Sequence, residues 1–266
     1  QLSQENGVDV LRGGPSRPSF FSYVDVEGRP NVKLYRREVM WICFSLTKEY
    51  SSAETAEAVQ NVFPMGKDVL CDWKNFIREA VADELASRPP LGGVGEVIQV
   101  DESLFRGKRN DHYRGTEDKG PWIVGLISES TGELRLFEVK KRNQRTLHAI
   151  VARNVYPGTT AVTDKWKGYD GLLTIHDELG HMVLNHLTVN HSENFVDPKT
   201  GAHTQKIESA WTALKQDLFK RGKGTCKTLL PSHLTWYWWN SINGRTRCRD
   251  PFLRLLEAIG RKYPCA

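Results

Sequence analysis

The chain has 266 residues and a mass of 30.3 kDa, which fits one large domain or two modest ones and exceeds a small disulfide-stapled module. Hydrophobic residues make up 39% and aromatic residues 10%, so the chain can bury a core and is not globally disordered. The five cysteines are widely spaced and form no CxxC pair, which argues against a disulfide framework or a zinc ribbon and favours a reducing compartment. No apolar run is long enough to predict a membrane span.

The net charge of +5 is distributed unevenly along the chain. Residues 223–266 carry eight Lys or Arg against two Asp or Glu, whereas residues 1–90 are slightly acidic. Two further basic runs lie beside predicted strands, and three such runs together predict a nucleic acid as the partner. Any single run fits a solvated surface better. The cations of the two inner runs are Arg106, Lys108, Arg109, Lys140, Lys141, Arg142 and Arg145.

The first 90 residues contain a glycine- and proline-rich arm, residues 1–35, followed by a segment with helical periodicity, residues 36–90. A Pro-Met-Gly break at 64–66 precedes the last of three predicted helices, which is the pattern of a DNA-binding helix-turn-helix. A plain helical bundle fits equally well, because this segment is net negative. The predicted helices cover residues 36–50, 52–60 and 68–85. The sequence RPPLGG at 88–93 predicts a domain boundary.

Residues 91–222 change to short β-type runs that alternate with helical ones, which predicts an α/β domain with a mixed sheet. Residues 223–266 are predicted to be helical and to pack on that domain. Their aromatic residues Trp236, Trp238 and Trp239 could stack on bases, but a core or subunit-interface helix is the preferred interpretation. The predicted strands cover residues 97–101, 122–127, 134–139, 160–164 and 187–189, and the predicted helices cover 146–154 and 203–220.

Three acids stand where the predicted elements could bring them together. Asp101 ends VIQVD and Asp164 ends TAVTD, and strand-end side chains can converge in the crevice of an open sheet. Glu208 lies at the edge of the apolar stripe of its helix and could lean over both. Clustered carboxylates repel one another, and divalent cations such as Mg²⁺ remove that penalty. Lys165 and Lys167 flank Asp164 and suit a phosphate substrate. Alternatively, the three acids are a turn, a cap and a solvated helix face.

Four blocks stand in order across residues 95–222: VIQVDESLFRGKRN, GPWIVGLISESTGELRLFEV, TDKWKGYDGL and VNHSENFVDPKTGAHTQKIESAWTALKQ. Together they resemble the DDE transposases of the Merlin superfamily, which are related to bacterial insertion-sequence transposases with the same catalytic domain. The resemblance implies a ribonuclease-H-like fold, with Asp101, Asp164 and Glu208 as the catalytic and metal-binding acids. It also implies that His191 and His203 assist in positioning DNA or metal rather than hold the metal.

The chain is therefore expected to be a Mg²⁺-dependent DDE transposase, with Mn²⁺ as a substitute and without zinc. It would bind terminal inverted repeats of double-stranded DNA, cleave the element ends and join their 3′-hydroxyls to target DNA. Because two ends must be joined in one event, at least a homodimer is expected, and no membrane is involved. Two alternatives stay open: a transposase-derived DNA-binding protein that no longer cuts, and a structure-specific nuclease on the same fold.

Bacterial relatives often carry a cysteine-rich zinc ribbon ahead of the catalytic domain, and residues 1–35 contain none. Recognition of the terminal repeats is therefore expected from the helical segment, the arm or the C-terminal region. The missing ribbon favours a eukaryotic protein of the nucleus over a bacterial protein of the cytoplasm and nucleoid.

Overall fold

This is a computed structural model of the protein, and it describes residue 20 and residues 34–48, 52–105, 120–177, 180–190, 196–221 and 229–264. These residues belong to two compact units: a helical unit from residues 1–84 and 243–266, and a sheet unit from residues 85–242. None of the helices in the described ranges is long and apolar enough to cross a membrane.

The helices and strands are named in chain order. The helices are α1 (Arg36–Thr47), α2 (Ser52–Gln60), α3 (Lys67–Ala86), α4 (Gln144–Asn154), α5 (Gln205–Lys215), α6 (Leu230–Asn243) and α7 (Pro251–Lys262). The strands are β1 (Val97–Leu104), β2 (Trp122–Ser128), β3 (Leu134–Val139), β4 (Thr160–Asp164), β5 (Thr174–Asp177), β6 (Gly180–Val183) and β7 (Asn185–Val189). A short 3-10 helix, Lys167–Tyr169, follows β4, and a π-helix, Gln216–Arg221, follows α5.

The three predicted helices of the N-terminal segment are confirmed. Helix α1 buries Val39, Cys43 and Leu46, the apolar face that the sequence predicts. The indole N–H of Trp41 donates to the carbonyl oxygen of Ala58 over 3.2 Å and ties α1 to α2. That these helices bind DNA as a helix-turn-helix stays a prediction.

The C-terminal residues divide between the two units, so the prediction that 223–266 pack together on the catalytic domain is wrong for α7. The ring of Phe252 meets that of Phe44 of α1 edge-on, with centroids 5.6 Å apart. Arg261 forms an ion pair with Glu84 of α3 over 2.7 Å. The apolar residues Leu255, Ala258 and Ile259 of α7 are buried within the helical unit, and Arg261 is paired with a carboxylate of the same unit.

The boundary between the units falls at residues 84 and 85, slightly before the predicted linker. Arg88 binds the carboxylate of Glu133 over 2.6 Å, and the N–H of Leu91 donates to the carbonyl oxygen of Asn154 over 2.7 Å. Because these bonds fasten residues 88–91 to the sheet unit, the Pro- and Gly-rich stretch belongs to that unit and does not separate the two.

The sheet unit contains a five-stranded mixed sheet in the order β3-β2-β1-β4-β7, which confirms the predicted α/β class. Strands β3, β2 and β1 are antiparallel neighbours, whereas β1, β4 and β7 run parallel. The hairpin of β5 and β6 was not predicted, because its four-residue strands are too short and too mixed in polarity for a pattern to appear. His176 pairs with His181 across this hairpin.

Helices cover both faces of the sheet. On one face α4 packs against Ile98, Val100 and Val124, and on the other α5 and α6 pack against Ile123 and Ile127. The predicted apolar stripe of α5 is buried there as expected, although α5 is shorter than predicted because its end continues as the π-helix. The buried members of that stripe are Ile207, Trp211, Leu214 and Leu218.

Strand β1 is longer than predicted, and Asp101 lies inside it. Antiparallel pairing with β2 continues from Asp101 opposite Gly125 to Leu104 opposite Trp122. The prediction that Asp101 closes its strand is therefore wrong, because the neighbouring strand β2 extends the ladder past it. Asp164 is the last residue of β4, as predicted.

Candidate active site

The pairing of β1 with β4 brings two of the predicted acids to the same level of the sheet. These strands are parallel, and their ladder ends with Gln99 opposite Val162. Two residues further along each strand stand Asp101 and Asp164. Adjacent strands lie about 4.8 Å apart, and paired residues of a parallel ladder point to the same face. If this register is continued, both residues fall on the face of the sheet that α5 covers, and the charge of Asp164 acts on Asp101.

Asp101 is held by two uncharged donors while facing two negative charges. The indole N–H of Trp211 donates to its Oδ2 over 2.9 Å, and the backbone N–H of Glu102 donates to the same carboxylate. Burial raises the pKa of Asp101, and the charges of Asp164 and Glu208 raise it further, against the lowering effect of the two donors. Asp164 and Glu208 thus both lie close enough for their charges to act on Asp101.

The position of Trp211 depends on a glycine in β2. Gly125 pairs with Asp101 across the antiparallel ladder, and a Cβ at this position would lie 2.8 Å from the Trp211 ring. The bare backbone therefore leaves a slot for the indole, which also meets the ring of Phe105 edge-on at 5.9 Å. A glycine inside a strand often marks such a close approach, and this signal was available in the sequence WIVGLI.

Glu208 is oriented from the start of its own helix. The hydroxyl of Thr204, the residue before α5, donates to Oε1 of Glu208 over 2.7 Å. The backbone N–H of Ile207 donates to Oε1 of Gln99 over 3.0 Å, so a buried side chain of β1 satisfies one of the orphan donors of the helix start. These two bonds fix the first turn of α5, and with it Glu208, on the sheet.

His203 lies at the edge of this site, and the other predicted auxiliary residue, His191, lies outside the described residues. The Nε2 of Gln99 is 3.3 Å from Nδ1 of His203 and 2.8 Å from Oε1 of Glu129. Because an amide nitrogen only donates, the contact requires an unprotonated Nδ1 on His203. His203 is thus joined to β1 through Gln99, and its role in positioning DNA or metal stays a prediction.

The three acids offer only carboxylate oxygens, the ligand type that Mg²⁺ and Mn²⁺ prefer. A cation placed among them would relieve the negative charges that raise the pKa of Asp101, so the donor set fits such an ion. Among the described residues, however, no three His, Cys, Asp or Glu side chains are grouped closely enough to hold one metal ion as they stand.

The predicted DNA-binding cations that the structure describes lie in two places of the sheet unit, after β4 and around the connection between β3 and α4. Lys165 and Lys167 are exposed directly after β4, beside Asp164. The exposed side chains of Lys140, Lys141 and Arg145 surround the connection between β3 and α4. The predicted cations Arg106, Lys108 and Arg109 lie outside the described residues.

Arg142 differs from the other predicted DNA-binding residues because its guanidinium is engaged within the protein. It forms an ion pair with Glu102 over 3.0 Å. The same group lies over the rings of Trp122 and Trp166, at 4.0 and 4.4 Å from their centroids. Its assignment to DNA binding stays a prediction.

Lys215 is a cation near the acids that the sequence analysis did not identify. Burial lowers the pKa of its ammonium, and the negative charge of Asp101 opposes that shift. Lys215 follows Glu208 by seven residues on α5, which is close to two helical turns and places both on one side of the helix. This spacing is the sequence signal that could have found it.

The chain also matches a known family. The family model of the ISXO2-like transposase domain matches residues 90–240, more than half of the chain. The protein belongs to the ISXO2-like transposase domain family. The matched span holds Asp101, Asp164 and Glu208 and begins at the predicted linker. A DDE transposase family is thereby confirmed, whereas membership in the Merlin superfamily stays a prediction. No curated protein matches the chain.

Two solved structures are similar to this chain. One is the cryoEM structure of the simian T-cell lymphotropic virus intasome in complex with PP2A regulatory subunit B56 gamma, with 13% identity, a TM-score of 0.37, and 76% of this chain and 68% of that chain covered. The other is the catalytic core domain of BIV integrase, with 16% identity, a TM-score of 0.36, and 63% and 97% covered. The observed strand order and directions agree with the predicted ribonuclease-H-like fold.

Proposed function

We propose that this ISXO2-like transposase is a cut-and-paste DNA transposase whose Asp101, Asp164 and Glu208 hold divalent metal ions, Mg²⁺ with Mn²⁺ as a substitute. The observation that carries the proposal is the placement of Asp101 and Asp164 on adjacent parallel strands, with Glu208 near enough for its charge to act on Asp101. Membership in a transposase family supports DNA as the substrate. Zinc is not expected, because the site offers neither thiolate nor an established imidazole ligand.

The metal ions would stabilise the negative charge that develops on the phosphate oxygens and lower the pKa of a bound water. The protein's own contribution is to fix the orientation of the carboxylates before the substrate binds. Trp211 and the backbone N–H of Glu102 fix Asp101, and Thr204 fixes Glu208. Because these partners restrict rotation of the carboxylates, little reorganisation is needed when a substrate arrives.

The reaction would consist of two in-line displacements at phosphorus. In the first, water attacks the phosphodiester at an end of the element, the bond between phosphorus and the 3′-oxygen breaks, and that oxygen leaves as a 3′-hydroxyl. In the second, this hydroxyl attacks a phosphodiester of target DNA, forms a new bond to phosphorus and displaces the target's 3′-oxygen, which takes up a proton. In both steps negative charge develops on the oxygens around phosphorus in the transition state. One carboxylate site can therefore serve both steps.

The exposed cations beside the acids suit contacts with DNA phosphates, which set register without reading sequence. We assign this role to the exposed side chains of Lys165, Lys167, Lys140, Lys141 and Arg145. Recognition of the terminal repeats is assigned to the helical unit. A homodimer or larger assembly would hold the two ends together, in the nucleus if the host is eukaryotic.

The experiment that tests this function uses DNA carrying the repeats that flank the gene, incubated with Mg²⁺ or Mn²⁺. Wild type is compared with Asp164→Asn, and Asp170→Asn serves as the matched control because Asp170 is an exposed acid of the same loop. Cut ends and joined products are expected from wild type and control, and neither from Asp164→Asn. Cut ends that are never joined would indicate the nuclease. Tight binding without cleavage in either metal would indicate a DNA-binding protein and contradict the proposal.

A further inference from the structure

Hydrogen bonding between β1 and β4 stops before it reaches the acids. The ladder ends at Gln99 and Val162, whereas Asp101 and Asp164 stand two residues further on. Strand β4 continues to pair on its other side, where Asp164 lies opposite Val189. Other contacts must therefore set the separation of Asp164 from β1.

Such contacts converge on Glu102, the neighbour of Asp101, whose carboxylate points to the opposite face of the sheet. The Glu102 side chain is only 3% exposed. Its Oε1 accepts a hydrogen bond from Nη1 of Arg142 over 3.0 Å, and its Oε2 accepts one from the hydroxyl of Tyr169. Tyr169 is itself buried and stands five residues after Asp164. One buried carboxylate thus binds both the segment after β4 and the segment before α4.

The guanidinium of Arg142 strengthens this connection by stacking. It lies between the indoles of Trp122 on β2 and Trp166, the second residue after Asp164. A Cβ at Gly168 would lie 2.0 Å from the Trp166 ring, so only glycine leaves room for the indole there. A planar guanidinium can stack on two rings and bind a carboxylate at once, which an ammonium cannot do. In the sequence DKWKGY, Asp164 is thus followed by Trp166, which stacks on Arg142, and by Tyr169, which binds Glu102.

We propose that Glu102, Arg142, Trp166 and Tyr169 form a positioning network that holds Asp164 at its working distance from Asp101, and that Arg142 acts through this network and not by contacting DNA. We call these four residues the Glu102 network. The proposal rests on the proposed metal-binding role of the two aspartates. The negative charge of Glu102 matches the positive charge of Arg142, so the pair adds no net charge to the surface formed by Lys165 and Lys167.

Two substitutions in the full-length chain test the Glu102 network. Arg142→Gln removes the charge and the stacking plane, and Tyr169→Phe keeps the buried ring and removes only the hydroxyl. Three quantities are measured: Mn²⁺ binding by calorimetry without DNA, the cleavage rate at saturating DNA, and the salt dependence of DNA binding without divalent metal. Arg153→Gln, an exposed arginine of α4, is the matched control and should change none of them.

Both variants should weaken Mn²⁺ binding and slow cleavage by about 10–100-fold, the usual cost of losing a partner behind a metal ligand. The slope of the logarithm of the binding constant against the logarithm of salt should stay at the wild-type value in Arg142→Gln. Lys165→Gln, which removes a proposed phosphate contact, should reduce that slope by about 0.9.

A slope reduced by about 0.9 in Arg142→Gln, with Mn²⁺ affinity intact, would show that Arg142 is a DNA contact and would overturn the proposal. Tyr169→Phe with wild-type Mn²⁺ affinity and cleavage would overturn it as well, and this variant decides alone if Arg142→Gln does not fold. Wild type that binds Mn²⁺ without cleaving contradicts only the proposed transposase function. Wild type that neither binds Mn²⁺ nor cleaves contradicts both proposals.

Discussion

Asp101 and Glu102 are adjacent acids of β1, and the strand turns their carboxylates to opposite faces of the sheet. Glu102 meets a guanidinium and a tyrosine hydroxyl. Asp101 meets an indole N–H and a backbone N–H, neither of them charged, and faces the negative charges of Asp164 and Glu208. Burial raises the pKa of both acids.

The difference separates a carboxylate whose charge the protein neutralises from one that it leaves beside other negative charges. On the Glu102 face the protein supplies the opposite charge itself, which is how buried charges are ordinarily accommodated. On the Asp101 face the described residues include one partly buried cation whose pKa Asp101 influences, Lys215 of α5, whereas Asp101 faces the charges of Asp164 and Glu208. The remaining negative charge is the feature that a divalent ion would neutralise, so the two faces predict different responses to the same kind of substitution.

The largest effect is expected on DNA cleavage. Asp101→Asn should reduce the cleavage rate by more than the about 10–100-fold expected for Glu102→Gln, because the first variant loses a proposed metal ligand and the second loses a residue that acts behind one. Rates at saturating DNA and saturating Mn²⁺ measure both. Equal losses for the two variants would remove the distinction between the faces.

A substitution at Gly125 should disturb the Asp101 face without touching an acid. Gly125→Ala places a methyl group against the Trp211 ring and should destabilise the protein by about 1–3 kcal/mol, the usual cost of overpacking. Cleavage should fall as well, since Trp211 orients Asp101. Urea unfolding gives the free energy. Gly260→Ala is the control: no atom lies within 4 Å of a Cβ there, and alanine in helix α7 should slightly stabilise the protein.

The stability of the metal-free protein should change in opposite directions on the two faces. Asp101→Asn removes a repelling charge and should raise the unfolding temperature at pH 7. Glu102→Gln breaks a buried ion pair and should lower it, by several degrees for a loss of about 1–3 kcal/mol. Calorimetric scans with a chelator present test this. A lower unfolding temperature for Asp101→Asn would mean that its carboxylate is stabilised by the fold.

The same repulsion predicts a pH dependence. Because the pKa of Asp101 is higher in the folded protein than in the unfolded chain, the folded state binds its proton more tightly. The contribution of Asp101 to stability should therefore increase as the pH falls through the folded pKa, and level off below the unfolded value of about 3.9. The difference in unfolding temperature between wild type and Asp101→Asn should shrink over this range, and a constant difference would argue against the shift.

The smallest effect concerns Lys215. A double-mutant cycle with Lys215→Gln and Asp101→Asn should give a coupling energy below about 1 kcal/mol, because solvent screens a pair whose cation is partly exposed. Denaturant unfolding of the four proteins at pH 7 without metal measures it. A coupling of several kcal/mol would mean that Lys215, and not a divalent ion, is the main counter-charge of Asp101.

Local periodicity predicted most of the helices and strands. It failed where contacts with distant segments determine the length of a strand or the packing of a helix. The spacing of apolar residues was sufficient for α1 to α4 and for the five strands of the main sheet. The short strands β5 and β6 carry too few residues for a period to appear. Strand β1 continues past Asp101 because β2 pairs with it there, and α7 belongs to the helical unit because its apolar stripe meets α1.

The candidate site was predicted as a set of acids but not as an arrangement. Asp101, Asp164 and Glu208 could be found because each occupies a recognisable place in a sequence block. Trp211 was recognised only as an apolar residue of its helix, and Arg142 only as one charge of a basic run. Their bonds to Asp101 and Glu102 join residues 110 and 40 positions apart in the chain, a separation that no local pattern contains.

The sequence by itself determined the α/β class and the transposase family and named three candidate acids, because these depend on patterns within single elements and short blocks. Only the tertiary structure decided which residue stands beside which. The register of β1 against β4 placed Asp101 level with Asp164, and the alternation of β1 sent Glu102 to the other face. Strand register and helix packing depend on contacts between segments that are distant in the sequence. They are therefore determined only when the whole chain is folded.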